Sequence, residues 1–225
     1  MKTAQVSVHA NLGGDVYGDV MEFGAAPVIS LPAEEIELYR EKVLSWRPGV
    51  IRMPGVVKGV FGQRAERIVG PAFVGYTDSK HFRPVPSHEA RPLNAGDERA
   101  VQLLRASCEI QDWEAGGSAF VSGAMAGVFS DQELVALASY QPWGEHIAHI
   151  CVVTHPLRRG RGHAAAAVSV LARIIFQRGL VPQYRTLEAN TPSIALARRI
   201  GFFPYATSLA IRLGDAGRLG EALRR

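Results

Sequence analysis

Cysteine is scarce in this chain: Cys108 and Cys151 are the only two among 225 residues. Two cysteines make no disulfide framework, and Cys151 lies in an apolar, strand-like run where a reduced, buried thiol is expected. Long apolar runs are missing too. No stretch reaches the roughly 18 residues of a membrane-spanning helix, and "MKTAQVSVHANLGGD" at the start has no apolar core of signal-peptide length. These shortages point to a soluble, cytoplasmic protein with no membrane partner. Charge is modest, with 20% charged residues and a net charge of +4. That balance alone argues for neither nucleic acid nor membrane. No His/Cys/Asp cluster has metal-ligand spacing, so no metal is expected. The sequence holds no internal repeat and no low-complexity tract. What remains is a 47% hydrophobic chain, ordinary globular composition, long enough to bury a sizeable core in one or two domains.

Three prolines and few apolar residues mark "HFRPVPSHEARPLNAGD" (81–97) as the linker, which gives a small N-terminal α/β unit over 1–85 and a larger domain over 86–225. In the first, "APVISLP" reads as a strand. "PAEEIELYREKVLSW" reads as a helix with Ile36, Tyr39, Val43 and Trp46 on one face. "GVIRM" and "ERIVGPAFVGYT" read as further strands. In the second, "DERAVQLLRASC" (97–108) is a helix with Val101, Leu104 and Cys108 on one side. "SAFVSGAMAGVFSD" and "ELVALASYQPWG" are strands joined by a Ser130-Asp131 turn, and "EHIAHICVVT" (145–154) is a third strand. An alanine-rich helix follows, stopped by Gly179. "YRTLEA" (184–189) is a strand, Thr191-Pro192 opens the helix "PSIALARRI" ended by Gly201, and "FPYATSLAIRL" is the last strand.

The arginines are unevenly placed, clustering at 158–161, 198–199 and 224–225. Arg158, Arg159, Arg161 and His163 crowd the start of the alanine-rich helix, where each uncompensated cation costs roughly 0.3–1 kcal/mol. A helix mouth offers unpaired N–H groups to anions, and Gly160 and Gly162 let an anionic group approach those amides. The pattern therefore points to a phosphate or pyrophosphate. The plain alternative is a solvated basic turn. A Walker loop is excluded, because Gly162 is followed by His163. The dinucleotide pattern G-x-G-x-x-A fits Gly160 to Ala165 formally. It fails on context, since "VPQYR" stands where the ribose-binding acid belongs.

A third pattern carries a resemblance. Arg159-x-x-Gly162-x-Ala164 matches the Q/R-x-x-G-x-G/A loop, and "EANTPSIALARRIGF" (188–202) resembles N-x-x-A/S-x-x-L-x-x-x-x-G-F through Asn190, Ser193, Leu196, Gly201 and Phe202. Together, in an α-β-β-β-α-β-α-β order, they make residues 88–213 resemble the GNAT superfamily of acyl-CoA-dependent N-acetyltransferases. The resemblance implies a mixed central sheet flanked by helices. It implies acetyl-CoA as co-substrate, its pyrophosphate on the amides of Arg158, Arg159, Gly160, Arg161, Gly162, His163 and Ala164. The preceding strand end, Val152, Val153 and Thr154, would splay from its neighbour and pair with the pantetheine arm, with Asn190 beside the pantetheine or phosphate portion and Ser193 a further coenzyme contact. The tyrosine that many members place after the conserved leucine is Ala197 here. The N-terminal unit has no catalytic motif and, by analogy, resembles a degenerate half of the same kind.

Acyl transfer to an amine requires a base, a polarised carbonyl and a proton or hydrogen bond for the departing thiolate. Strand alternation puts Glu145, Ile147, His149 and Cys151 on one face. His149 is the foremost base, with an imidazole suited to neutral pH. Glu145 is a reserve, as is His146, and a hydrogen-bonded structural histidine is the plain alternative. Tyr205 is the nearest tyrosine by sequence for the thiolate's proton, although a thiolate tolerates leaving without an acid. "EIQDWEAGGS" (109–118) offers acids to a cationic amine and Trp113 as a wall, or else a solvated loop. The reading is an N-acetyltransferase acting on an amine of a small molecule or peptide, and it leaves a homodimer open. The rival is a non-catalytic acyl-CoA-binding or interaction module. The "RRGRGH" run is short and lacks interleaved aromatics, which argues against nucleic acid.

Overall fold

A computed structural model describes residues 4–8, 16–23 and 27–214. The chain groups into two compact, interleaved units: residues 1–74, 186–189 and 205–225, and residues 75–185 and 190–204. Ten strands and six α-helices occur among the described residues, a mixed α/β architecture as expected from the sequence.

The first unit holds β1 (Gln5–Val8), β2 (Val16–Glu22), β3 (Pro27–Leu31), α1 (Ala33–Leu44), α2 (Pro54–Phe61) and most of β4 (Ala65–Tyr76). The last long strand, β10 (Phe203–Leu213), belongs mostly to it as well. The strands run in the order β1-β3-β2-β10-β4, with β1 parallel to β3 and β2 antiparallel to both its neighbours. Period-two burial of Pro27, Ile29 and Leu31 aims one face of β3 inward. Ile36, Tyr39 and Val43 recur at helical spacing on α1 and are buried in the same core as Leu209, Ile211 and Leu213. A bidentate bond from Arg64 to the buried Glu35 satisfies that carboxylate at 2.7 and 2.9 Å. "GVIRM" is not a strand: Val50–Arg52 is a single 3-10 turn, led by Gly49 in the left-handed region. Pro54 then starts α2, a helix that the short, proline-broken apolar run did not announce.

The second unit holds β5 (Ala90–Pro92), α3 (Glu98–Ser107), α4 (Ile110–Gly116), β6 (Met125–Ser130), β7 (Glu133–Trp143), β8 (Ile147–Thr154), α5 (His163–Gln177), most of β9 (Val181–Leu187) and α6 (Thr191–Arg199). Its strands run β9-β8-β7-β6-β5, antiparallel except for the β8–β9 pair. The β6–β7 hairpin turns at Asp131 and Gln132, both at positive φ, one residue later than expected. Val101 and Leu104 of α3 join Leu137 of β7 and Val153 of β8 in one core cluster. The alternate residues Ala136, Ala138, Ala148 and Ile150 are also buried, on the face left to α5. The proline-rich segment does not hang free. Arg83 donates to the Ile200 carbonyl, and Val85 donates to the buried Ser169 hydroxyl at 2.8 Å.

Candidate functional site

The site begins where two strands part. β8 pairs with β9 from Ile147–Val181 to Ile150–Tyr184 and no further, while it stays paired to β7 as far as Thr154–Ala136. His155 donates to the Val135 carbonyl. By antiparallel alternation Val153 and Cys151 also direct their backbone groups to β7, and Val152 and Thr154 direct theirs to the side that β9 has left. Of the three strand-end residues named from the sequence, Val152 and Thr154 thus present backbone to the opening, and Val153 does not. A Cβ on Gly116, at the end of α4, would lie 2.2 Å from the Val152 carbonyl oxygen, so this close approach requires glycine.

Beyond β8, Pro156–Arg158 form a 3-10 turn whose Leu157 N–H is capped by the His155 ring. Gly160 and Gly162 adopt φ of +76° and +85°, and no atom lies within 4 Å of where their Cβ atoms would be. The first α5 hydrogen bond runs from Ala166 to the Gly162 carbonyl. The amides of His163, Ala164 and Ala165 precede it and form the helix mouth. Two arginines there have protein partners: Arg159 reaches Asp112 of α4 at 2.6 Å, and Arg158 lies 3.7 Å from Asp131. The charge conflict read from the sequence is thus partly answered by acids remote along the chain. Arg161 is exposed and His163 half-buried. Asp112, one of the acids of 109–118, thus lies against the loop. Trp113 packs on the Val101–Leu104 cluster and on Gly117.

Asn190, not Thr191, caps α6, its side chain accepting from the Ser193 N–H at 3.3 Å. The Ser193 hydroxyl pairs at 2.9 Å with that of Tyr184, a buried residue in the last β8–β9 pair. Burial raises the Tyr184 phenol above its ordinary value, and the Ser193 bond opposes the rise. Ala197, one turn along α6, is fully buried.

The opposite face of β8 and β9 carries a polar row. His149 Nδ1 lies 3.1 Å from Gln183 Oε1, its partner in the parallel register. Gln183 Nε2 donates to the Tyr76 hydroxyl. The imidazole stacks on Trp143 at 4.7 Å, and the Arg185 guanidinium lies 5.8 Å from the Trp143 ring. Burial holds His149 below its usual pKa, the Gln183 bond opposes this, and the Arg185 charge adds to it. Two residues on, burial pushes the Cys151 thiol up while a bond with Ser139 pulls it down. Ser139 in turn shares a hydrogen bond with Ser118.

Glu145 does not share the His149 face. The strand starts at Ile147, and Glu145 is exposed in the Gly144–His146 turn because the hairpin needs those residues to reverse the chain. Tyr205 falls in the first unit, stacked edge-on against Phe23 and 60% exposed. Gln183, Tyr76 and Trp143 were not singled out from the sequence, and Asp112 was named only among the acids of 109–118, not as a partner of Arg159. Their roles depend on strand register and on a helix-to-loop ion pair, which no local pattern encodes. Among the described residues no group of three or more His, Cys, Asp or Glu could hold a metal ion, and no helix is long and apolar enough to cross a membrane.

A parted parallel strand pair followed by a glycine-led helix mouth is the arrangement that the resemblance in the sequence implied. The profile of the Acetyltransferase (GNAT) family matches residues 88–202, and the chain belongs to that family. A GNAT-family protein from Novosphingobium aromaticivorans is similar in structure, at 24% identity over 68% of this chain and 67% of its own, with a TM-score of 0.53. A GNAT acetyltransferase from Colwellia psychrerythraea aligns over 83% and 76% at 12% identity and a TM-score of 0.53. A GCN5-related N-acetyltransferase from Kribbella flavida aligns over 74% and 66% at 17% identity and a TM-score of 0.52. At these identities the likeness is one of fold. No curated protein matches the chain.

Proposed function

We propose that this protein is a cytoplasmic N-acetyltransferase that transfers the acetyl group of acetyl-CoA to an amine of a small molecule or peptide. The observation that carries the proposal is the parting of β8 from β9 directly before the Gly160–Gly162 helix mouth. The residues there fit the co-substrate. The amides of His163, Ala164 and Ala165 suit a pyrophosphate, the open space over both glycines admits it, and Arg161 is exposed beside them. The outward backbone of Val152 and Thr154 suits an amide-bearing arm, and Asn190 and Ser193 stand at the start of α6 near the end of the β8–β9 pairing.

Bound acetyl-CoA supplies an activated thioester. The amine nitrogen attacks its carbonyl carbon, the carbon–sulfur bond breaks, and the amine's proton must go to a base. His149 is that base, half-buried and held largely neutral at physiological pH. The outward Val152 N–H is the donor for the carbonyl oxygen. The sulfur leaves without a dedicated tyrosine, since Ala197 occupies that position and a thiolate is a fair leaving group. Ala197 also favours the second reading, an acyl-CoA-binding module without turnover.

The test is release of free thiol from acetyl-CoA over a panel of amines. Turnover above the enzyme-free rate supports the enzyme, and binding without turnover supports the module. The His149→Ala variant loses about 10²-fold or more in turnover, the low end for general base catalysis, while Tyr205→Phe retains most of it. Gly162→Asp places a carboxylate and a side chain at the helix mouth and weakens coenzyme A binding at least about tenfold by calorimetry, or about 1.4 kcal/mol. Unchanged affinity in a folded Gly162→Asp protein removes the loop from the site.

A further inference from the structure

We infer that Gln183 and Tyr76 are positioning residues that fix the tautomer of His149, holding the proton on Nδ1 and leaving Nε2 as the basic nitrogen. The inference rests on the proposed base role of His149 and names what makes that imidazole usable. A neutral imidazole has one N–H and one lone pair, and the partner of one nitrogen decides which is which.

That partner is Gln183, a residue only 1% exposed, whose Cα pairs with that of His149 in the parallel register. A primary amide has one acceptor end and one donor end. Its Nε2 end donates to the Tyr76 hydroxyl, so the Oε1 end, 3.1 Å from Nδ1, accepts. An acceptor opposite Nδ1 requires a proton there. Trp143, stacked on the ring at 4.7 Å with the planes 27° apart, opposes the flip that could exchange the two nitrogens. Proton, amide and phenol thus form one directed chain, Nδ1–H to Oε1 and Nε2–H to the Tyr76 oxygen.

A neutral amide does this where a carboxylate would not. A carboxylate would also fix Nδ1–H, but its charge would stabilise imidazolium and leave the base protonated near neutral pH. Ionisable or charged groups along the row include Arg185 on β9, Tyr76 on β4 and Cys151 on β8. Arg185 disfavours imidazolium, against the opposing effect of the Gln183 bond.

Nitrogen-15 NMR of the full-length protein with labelled histidine reads the tautomer without any need for activity. Wild-type His149 is expected as the Nδ1–H tautomer at a pH above its titration, and the Nε2–H tautomer overturns the inference. In Gln183→Glu the histidine titration moves up by about one pH unit or more, and the rising limb of the kcat/KM profile moves with it. A titration that stays in place in the folded variant overturns the inference. Tyr76→Phe, which removes one oxygen, serves where Gln183 variants fail to fold. It is expected to leave a mixture of tautomers and to lower kcat more than it raises KM. A pure Nδ1–H ring with unaltered kcat in Tyr76→Phe removes Tyr76 from the chain. Wild-type protein that shows the Nδ1–H tautomer but no acetyl transfer leaves this assignment standing and sinks the enzymatic reading instead.

Discussion

At the scale of single residues, the second unit uses polar side chains to settle backbone groups that apolar packing cannot. Asp97 is the clearest case outside the site. The residue is 8% exposed, and its carboxylate accepts two bonds from Arg91 at 2.6 and 2.8 Å and takes the Asn94 N–H at 2.9 Å, closing a box ahead of α3. The Arg91 bonds hold its pKa below the usual carboxylate range, against the opposing effect of burial. A depressed folded-state pKa means that the unfolded chain binds the proton more readily. The contribution is therefore fully present above the unfolded value near 4 and is lost as pH falls through the lower folded value. Thermal melts between pH 6 and about 3 should show wild-type stability falling more steeply than that of Asp97→Asn over that acid window. At neutral pH the variant should be less stable by about 1 kcal/mol, typical of a lost cap. Parallel acid slopes in the two proteins would show that the carboxylate contributes nothing through ionisation.

Among elements, α4 is the one whose position bears most directly on the site. It sets Asp112 on Arg159 and brings Gly116 against the carbonyl of Val152, where β8 is open. If Arg159 is to meet a phosphate, it must first leave Asp112. Exposed pairs of this kind are worth about 0–1 kcal/mol, so Asp112→Asn should tighten coenzyme A binding by up to about fivefold and never weaken it. Calorimetry at low and high salt checks this, and weaker binding in the variant would mean that Asp112 helps to hold the ligand. The same element shows where sequence reading stops. The glycine-led loop, the alanine-rich helix and the α6 signature were legible because turn, cap and helix signals are local. The α4–loop ion pair joins residues 47 positions apart, and nothing local announces it. At the other end of β8, alternation carried back to Glu145 failed because a hairpin turn occupies Gly144–His146. His149 was legible as the candidate base because its strand was. Gln183 was not, since its role depends on the register between two strands separated by a whole helix.

For the molecule as a whole, chain order and compact units do not coincide. The last strand begins beside the α6 signature in sequence, yet Leu209, Ile211 and Leu213 are buried in one core with Ile29, Leu31, Val43 and Trp46. The helix face of α1 was legible from its 3.6-residue period. The return of β10 to that core was not, because a long-range pairing leaves no trace in local periodicity. This arrangement separates stability from ligand binding in a testable way. Every residue assigned here to the coenzyme lies between Val152 and Ser193 in the second unit. Leu31 is fully buried in the first unit's core and takes no part in that set. Leu31→Ala removes three carbons from a packed interior and should cost about 2–5 kcal/mol in denaturant unfolding. At a temperature where the variant remains folded, its coenzyme A affinity should match the wild type within about twofold, because Leu31 and the binding loop belong to different compact units and sites that share no partners behave additively. A large loss of affinity in folded Leu31→Ala would show that the first unit's core sets the geometry of the binding loop. The two units would then have to be treated as one cooperative body.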